Sequence, residues 1–187
     1  MEDLAQLHAR SLSATRSLIA GIRPDQWNSP TPCADWDVRA LANHIVAGNW
    51  WAAELADGHT IAEVGDRLDG DVLGDDAVDA YDRSASAAET VFSKPGAMDA
   101  PCAVSYGPVP GSVYCGHRIV DVAIHGWDLA VATGQPTDLD PDLVAGCLDI
   151  VRPQAALLAA SGAFGTDVTP DASTPQSELL TMLGRRP

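Results

Sequence analysis

One segment of the chain constrains the fold more than any other, and it runs from Ile119 to Val131. Its residues are apolar nearly all round a helix, which predicts a helix buried on most sides. Asp121 and His125 interrupt the run four residues apart, so both side chains should lie on one face of that helix. Because a lone buried carboxylate is costly unless it is paired or bound to a metal, Asp121 needs a partner inside the fold.

The rest of the chain predicts further helices packed around this segment. They are expected over residues 2–21, from an N-cap at Asp37 to about 56, and over about 75–93, 112–133, 141–161 and 176–184. Proline and glycine separate them in loops, and two short extended pieces are expected within 100–114. The sequence therefore predicts an all-α fold: a four-helix bundle with a longer crossover and additional short C-terminal helices. It is read as a single domain over residues 1–187.

The composition excludes several classes of partner. Acidic residues outnumber basic ones 26 to 11, and the formal net charge of −15 would repel nucleic acid and anionic membranes. The first residues do not resemble a signal peptide, and no apolar run approaches the roughly 20 residues that span a bilayer. The four cysteines are scattered and form no C-x-x-C pair. We therefore expect a cytoplasmic protein with reduced thiols.

His44 is a third polar residue that the pattern places near the core. It lies three residues after Leu41 and one turn before Gly48 on the predicted second helix, so it shares or borders the buried face. Two interpretations follow. In one, Asp121 and His125 form a hydrogen bond inside a metal-free bundle, and His44 is an ordinary core histidine. In the other, two imidazoles and one carboxylate bind zinc, nickel or ferrous iron. Spacing alone favours the first, because Asp/His pairs at this separation are common by chance.

Four stretches of the sequence resemble a known family. They are TPCADWDVRALANHI at 31–45, GPVPG at 107–111, DVAIHGWDLAVATG at 121–134 and the tail at 174–187. Together they resemble the mycothiol-dependent maleylpyruvate isomerase metal-binding family of the DinB-like superfamily, in a short actinobacterial branch. The resemblance implies three metal ligands, which fall on His44, Asp121 and His125. The family's reference enzyme has Glu where this chain has Asp121. With the resemblance included, the metal site becomes the favoured interpretation, with zinc expected and nickel or iron as alternatives.

The resemblance also implies a function. Three protein ligands leave an open coordination position, as in catalytic metal sites. We therefore expect a metal-dependent enzyme that uses a low-molecular-weight thiol of the mycothiol type, as cofactor or co-substrate, in thiol transfer or isomerisation. Its partner would be a small-molecule thiol or an electrophile. The family's isomerases carry a further C-terminal domain, so maleylpyruvate isomerisation itself is not the expected reaction. The alternative is a non-enzymatic, homodimeric metal-binding bundle with a binding or sensing role.

Other polar residues are weighed beside these three. His117 lies one turn before Asp121 and is an alternative fourth ligand or acid–base group, although such a histidine more often faces a cleft or solvent. Cys33 is a candidate reactive thiol, but the sequence shows no basic neighbour that would lower its pKa. Asp128 is expected to be a local hydrogen-bond partner, with orientation of His125 as one role. His8 is expected at the surface.

Overall fold

Helices form most of the chain that the computed structural model describes, namely residues 3–155, 168 and 172–187. We number the helices and strands in chain order. The helices are α1 (Leu4–Ala20), α2 (Val38–Ala56), α3 (Ile61–Val64), α4 (Ala77–Phe92), α5 (Gly111–Thr133), α6 (Pro141–Val151) and α7 (Pro175–Met182). The strands are β1 (Pro101–Val104) and β2 (Gly107–Pro110), and a 3₁₀ turn covers Arg152–Gln154.

Helix α5 lies at the centre of the fold. It packs against α1, α2 and α6, while α4 closes the bundle by packing against α1 and α2. Almost every residue of α5 from Cys115 to Ala130 is buried, as its apolar sequence predicts. The predicted all-α, DinB-like four-helix bundle is confirmed, with α1, α2, α4 and α5 as its helices. Each helix among the described residues is too short or too polar to span a bilayer.

The connection from α4 to α5, residues 93–110, contains a small hairpin, while the longest crossover between bundle helices, residues 57–76, joins α2 to α4 and includes α3. Strands β1 and β2 pair antiparallel, with Cys102 opposite Val109. Cys102 is buried, and this strand contacts α2, so the hairpin lies against the bundle rather than standing free. The two extended pieces expected within residues 100–114 are therefore confirmed.

Local chemistry explains where the helices begin and end. Asp37 caps α2, because its Oδ1 accepts a hydrogen bond of 2.8 Å from the backbone N–H of Ala40. Asp140 caps α6 in the same way, with Pro141 as the first helical residue. Gly134 ends α5 with a φ of +68°, a left-handed conformation that glycine adopts without steric cost. Each of these boundaries agrees with the sequence prediction.

The helices depart from the predictions at two places. The helix predicted over 141–161 ends at Val151 and passes into the 3₁₀ turn, where Pro153 lacks the N–H that would continue an α-helix; residues 156–161 lie outside the described residues. His8 was expected at the surface, but its side chain is fully buried and its ring packs edge-on against Phe92 at 5.1 Å. The prediction for His8 was wrong because α1 contacts both α4 and α5, which buries a wider face than its apolar residues mark.

Candidate metal centre

Helices α2 and α5 bring three potential metal ligands together. His44 projects from α2, and Asp121 and His125 project from one face of α5. Asp121 Oδ1 lies 3.5 Å from His44 Nε2 and 3.6 Å from His125 Nε2. The two imidazole rings meet edge-on with centroids 5.0 Å apart. One donor atom from each residue lies within 4.8 Å of the others, so the three form one cluster.

The cluster fits a divalent metal in donor type and in spacing. Zinc binds imidazole nitrogen and carboxylate oxygen at about 2.0–2.2 Å, which places neighbouring tetrahedral ligands roughly 3.4 Å apart. The separations of 3.5 and 3.6 Å from Asp121 Oδ1 come close to that value. His44 Nε2 is buried, and its nearest acceptor among the described residues, Asp121 Oδ1 at 3.5 Å, lies at the outer limit of a hydrogen bond. A buried nitrogen needs a closer partner than this, and a metal ion would supply one.

Asp121 divides its two oxygens between the cluster and a buried arginine. Oδ1 faces the imidazoles, and Oδ2 accepts a hydrogen bond of 2.8 Å from Arg118 Nη1. Arg118 is itself held by Asn49, whose Oδ1 accepts from Nη2 at 3.2 Å. Burial by itself would raise the pKa of Asp121, but the charge of Arg118 and the contacts with His44 and His125 hold it well below its ordinary value. Asp121 is therefore an anion with one oxygen free to bind a cation.

The opposite nitrogen of His125 is also engaged. Its Nδ1–H donates to Asp128 Oδ2 at 3.0 Å, and the side chain of Asp128 is completely buried. Burial opposes ionisation of Asp128, yet hydrogen bonds from His125 and Arg185 lower its pKa below the ordinary value. An ionised Asp128 keeps the proton of His125 on Nδ1, which leaves the lone pair of Nε2 facing the cluster. The orienting role considered for Asp128 agrees with this geometry.

A loop between α1 and α2 forms one wall of a cavity above the cluster. Trp36 lies over His44 with ring centroids 4.5 Å apart. The hydroxyl of Thr31 donates to the carbonyls of Cys33 and Trp36, which fixes the turn. The cavity is about 720 Å³, and its walls include all three candidate ligands together with Cys33, Trp36 and Arg185. The cluster is therefore open to a small molecule on the loop side.

The surroundings of Cys33 correct one expectation. The sequence showed no basic neighbour, but Arg185 Nη2 donates to Cys33 Sγ at 3.3 Å, and the thiol donates to Asp128 Oδ2 at 3.3 Å. Burial and the Asp128 carboxylate nevertheless raise the pKa of Cys33 to about 12, so it stays a thiol at neutral pH.

His117 does not join the cluster. Its Nδ1 forms a hydrogen bond of 2.8 Å with the hydroxyl of Tyr106 on the hairpin. It lines a separate cavity of about 350 Å³ with Trp51 and Tyr114. Within the part of the chain that the structure describes, the cluster contains His44, Asp121 and His125 and excludes His117.

Sequence reasoning missed two arginines beside the cluster. Arg118 had a local signal, since it is a charged residue in an apolar helix three positions before Asp121. Arg185 had none, because it lies 57 residues from Asp128 in the chain and reaches it only through tertiary packing.

A helical bundle in which two histidines and an aspartate line one cavity defines the class: a DinB-like protein with a candidate metal centre. Within that class, the chain belongs to the mycothiol maleylpyruvate isomerase N-terminal domain family, whose model matches residues 8–130. It is also similar to two uncharacterized proteins, one from each of two Mycobacterium tuberculosis strains. Each is 38% identical over 154 residues, which cover 80% of this chain and 78% of the relative. No solved structure matches the chain significantly.

Proposed function

We propose that this protein binds one divalent metal ion through His44, Asp121 and His125, and that it is a metal-dependent enzyme. Its co-substrate or cofactor would be a low-molecular-weight thiol of the mycothiol type, used in thiol transfer or isomerisation. The observation that carries the proposal is the convergence of three donor atoms, from His44, Asp121 and His125, at the wall of a cavity.

The residues around the cluster suit such a site. A divalent ion, with zinc expected, would supply a Lewis acid that lowers the pKa of a thiol in its open position. Arg118 keeps Asp121 anionic, and Asp128 holds His125 in the tautomer that presents Nε2. Trp36 covers His44 and keeps bulk water from that side of its ring.

The cavity favours an enzyme over the non-enzymatic binding or sensing role. A sensing or structural site would close the coordination sphere with protein ligands, whereas three ligands under an open cavity leave room for a reactant. The volume of about 720 Å³ falls within the range of about 300–1,000 Å³ for small-molecule sites. Family membership supports the choice of thiol.

Metal content tests the first half of the proposal. Untagged protein, reconstituted with zinc and desalted, should hold about one metal ion per chain by elemental analysis, and His44→Ala should lose it because the site falls to two ligands. His59→Ala is the matched control, since His59 is an exposed histidine outside the cluster. Circular dichroism should show the same helix content in all three. A wild-type protein without metal, or a His44→Ala variant with as much, contradicts the proposal.

Activity tests the second half. Zinc-loaded protein is incubated with mycothiol and a panel of electrophiles that includes unsaturated acids and epoxides, and consumption of the thiol is followed. We expect transfer or isomerisation with at least one electrophile, and loss of that activity in His44→Ala. If the protein holds about one metal ion per chain but reacts with no member of the panel, the metal-site proposal is supported and the proposal of an enzyme is contradicted.

A further inference from the structure

We infer that Arg185 is a positioning residue of the metal centre: through Asp128 it fixes the orientation of His125. The inference rests on the proposed metal site and extends it to the C-terminal segment, residues 183–187, which lies beyond the region 8–130 that the family model matches.

Arg185 binds Asp128 through one edge of its guanidinium, with two parallel hydrogen bonds. Nε donates to Oδ1 at 3.1 Å and Nη2 donates to Oδ2 at 2.6 Å. This paired geometry holds a carboxylate in one plane, which a single hydrogen bond does not. The Asp128 side chain is wholly buried and that of Arg185 is 11% exposed, so water competes little for the pair.

The same carboxylate holds His125. Oδ2 accepts from Arg185 Nη2 and also from His125 Nδ1, at 3.0 Å. The plane of the carboxylate therefore sets the plane of the imidazole, and with it the direction of Nε2. Outer partners of metal-binding histidines commonly change metal affinity by 10–100-fold when they are removed.

The end of α7 places Arg185 at this point. Leu179, Leu180 and Leu183 are buried in the core, and the backbone N–H of Arg185 donates to the carbonyl of Leu180 at 2.8 Å. The side chain then turns back, and its Nη1 donates to the carbonyl of Leu183 at 2.8 Å. The guanidinium of Arg185 is thus held by the backbone at the end of α7 as well as by Asp128.

These contacts separate a positioning role from direct ligand binding. Each of the three guanidinium nitrogens already donates to a protein group: Nε and Nη2 to Asp128, Nη2 also to Cys33, and Nη1 to Leu183. An arginine that binds the carboxylate of a substrate needs two parallel donors free. Arg185 lines the cavity, but its two parallel donors, Nε and Nη2, are already bound to Asp128.

The test compares three full-length variants. Arg185→Met removes the charge and the paired donors, Arg185→Lys keeps the charge without the paired geometry, and Arg186→Met alters the exposed neighbour. Zinc affinity is measured by competition with a chromophoric chelator. We expect the zinc Kd to rise about 10–100-fold in Arg185→Met, to rise less in Arg185→Lys, and to stay at the wild-type value in Arg186→Met.

A second readout needs no metal and would not respond to a merely structural role. In the metal-free protein, ¹⁵N shifts of the His125 ring should show Nδ1–H in the wild type and a mixture of tautomers in Arg185→Met. If Arg185→Met does not fold, Arg185→Lys decides the matter. Unchanged affinity and tautomer in a folded variant overturn this inference alone, whereas a wild-type protein that binds no zinc overturns the proposed metal site.

Discussion

At the candidate site, half-buried Asp121 and buried Asp128 each have a charged partner. Arg118 neutralises one oxygen of Asp121 and leaves the other for the candidate metal ion. Asp128 does the corresponding work for His125 on the far side of the ring. Breaking a buried ion pair by removing one member typically costs about 3–5 kcal/mol, because the other charge stays buried. The free-energy cost of removing one partner therefore reflects the charge left unpaired as well as the lost attraction between the two groups.

His8 is a buried histidine whose protonation should control acid stability. Burial, with the charge of Arg118 adding to it, lowers the pKa of His8 to about 3. In the unfolded chain the pKa is about 6.5, so the folded state favours the neutral ring. The resulting stability is present above pH 6.5 and is lost progressively as the pH falls toward 3. Between pH 7 and pH 5 the loss is about 2 kcal/mol.

Urea unfolding of metal-free protein at the two pH values tests this. His8→Leu should remove about 2 kcal/mol of the pH dependence, whatever its effect on stability at pH 7. Ile61→Ala, at an exposed residue that does not titrate, should leave the pH dependence as in the wild type. An equal drop in the wild type and His8→Leu would show that other groups cause the acid sensitivity.

At the scale of helices, Gly48 and Gly126 allow α2 and α1 to pack closely against α5. A Cβ on Gly48 of α2 would lie 2.4 Å from Arg118 Nη1, and one on Gly126 of α5 would lie 2.5 Å from Thr15 Oγ1 of α1. Both distances are shorter than any ordinary contact. Gly48 matters for the site, because the guanidinium of Arg118, which binds Asp121, occupies the space that a side chain at position 48 would fill.

Gly48→Ala should therefore disturb the site by displacing the guanidinium of Arg118. Arg118 is held by Asn49 and Asp121, so it cannot move aside without losing a hydrogen bond. We expect a loss of about 1–3 kcal/mol in the free energy of unfolding, typical of overpacking, together with weaker zinc binding.

Gly116→Ala is the matched control for that variant. A Cβ there would lie 3.4 Å from Ile150 Cγ2, an ordinary contact, and replacing a helical glycine by alanine gains up to about 1 kcal/mol. Urea denaturation compares the two. Equal free energies of unfolding in both variants would contradict the close packing of Arg118 against Gly48.

At the scale of the whole molecule, the candidate site joins parts of the chain that are distant in sequence. The loop with Trp36, helices α2 and α5, and the segment after α7 all contribute to one cavity. A ligand bound by several elements at once stabilises the fold as a unit, because it binds the native state and not the unfolded chain.

Zinc should accordingly raise the melting temperature. Free zinc at about 100 times its Kd adds roughly 2.7 kcal/mol of stability. For a chain of this size that corresponds to about 5–10 °C. Scanning calorimetry of the wild type with and without zinc measures the shift, and excess chelator should reverse it. His44→Ala should show little shift; an equal rise in that variant would mean that zinc binds elsewhere.

The helical bundle, most helix boundaries and the pairing of Asp121 with His125 could be predicted from the amino-acid sequence alone. Asp37 and Gly134 mark helix ends through their own side-chain and backbone chemistry, and Asp121 and His125 share a face because of helical periodicity. These are local properties, which is why they could be predicted. His44 was weaker on pattern alone, and its place beside the pair depends on how α2 packs on α5.

Which groups surround that pair could be seen only in the folded protein. The burial of His8, the contact of Cys33 with a cation and the place of Arg185 beside Asp128 all depend on packing between distant segments. Periodicity shows which face of a helix is buried, but it does not show which residue from another segment meets that face. The metal role of His44, Asp121 and His125 remains a prediction, and their convergence at one cavity is what the fold contributes to it.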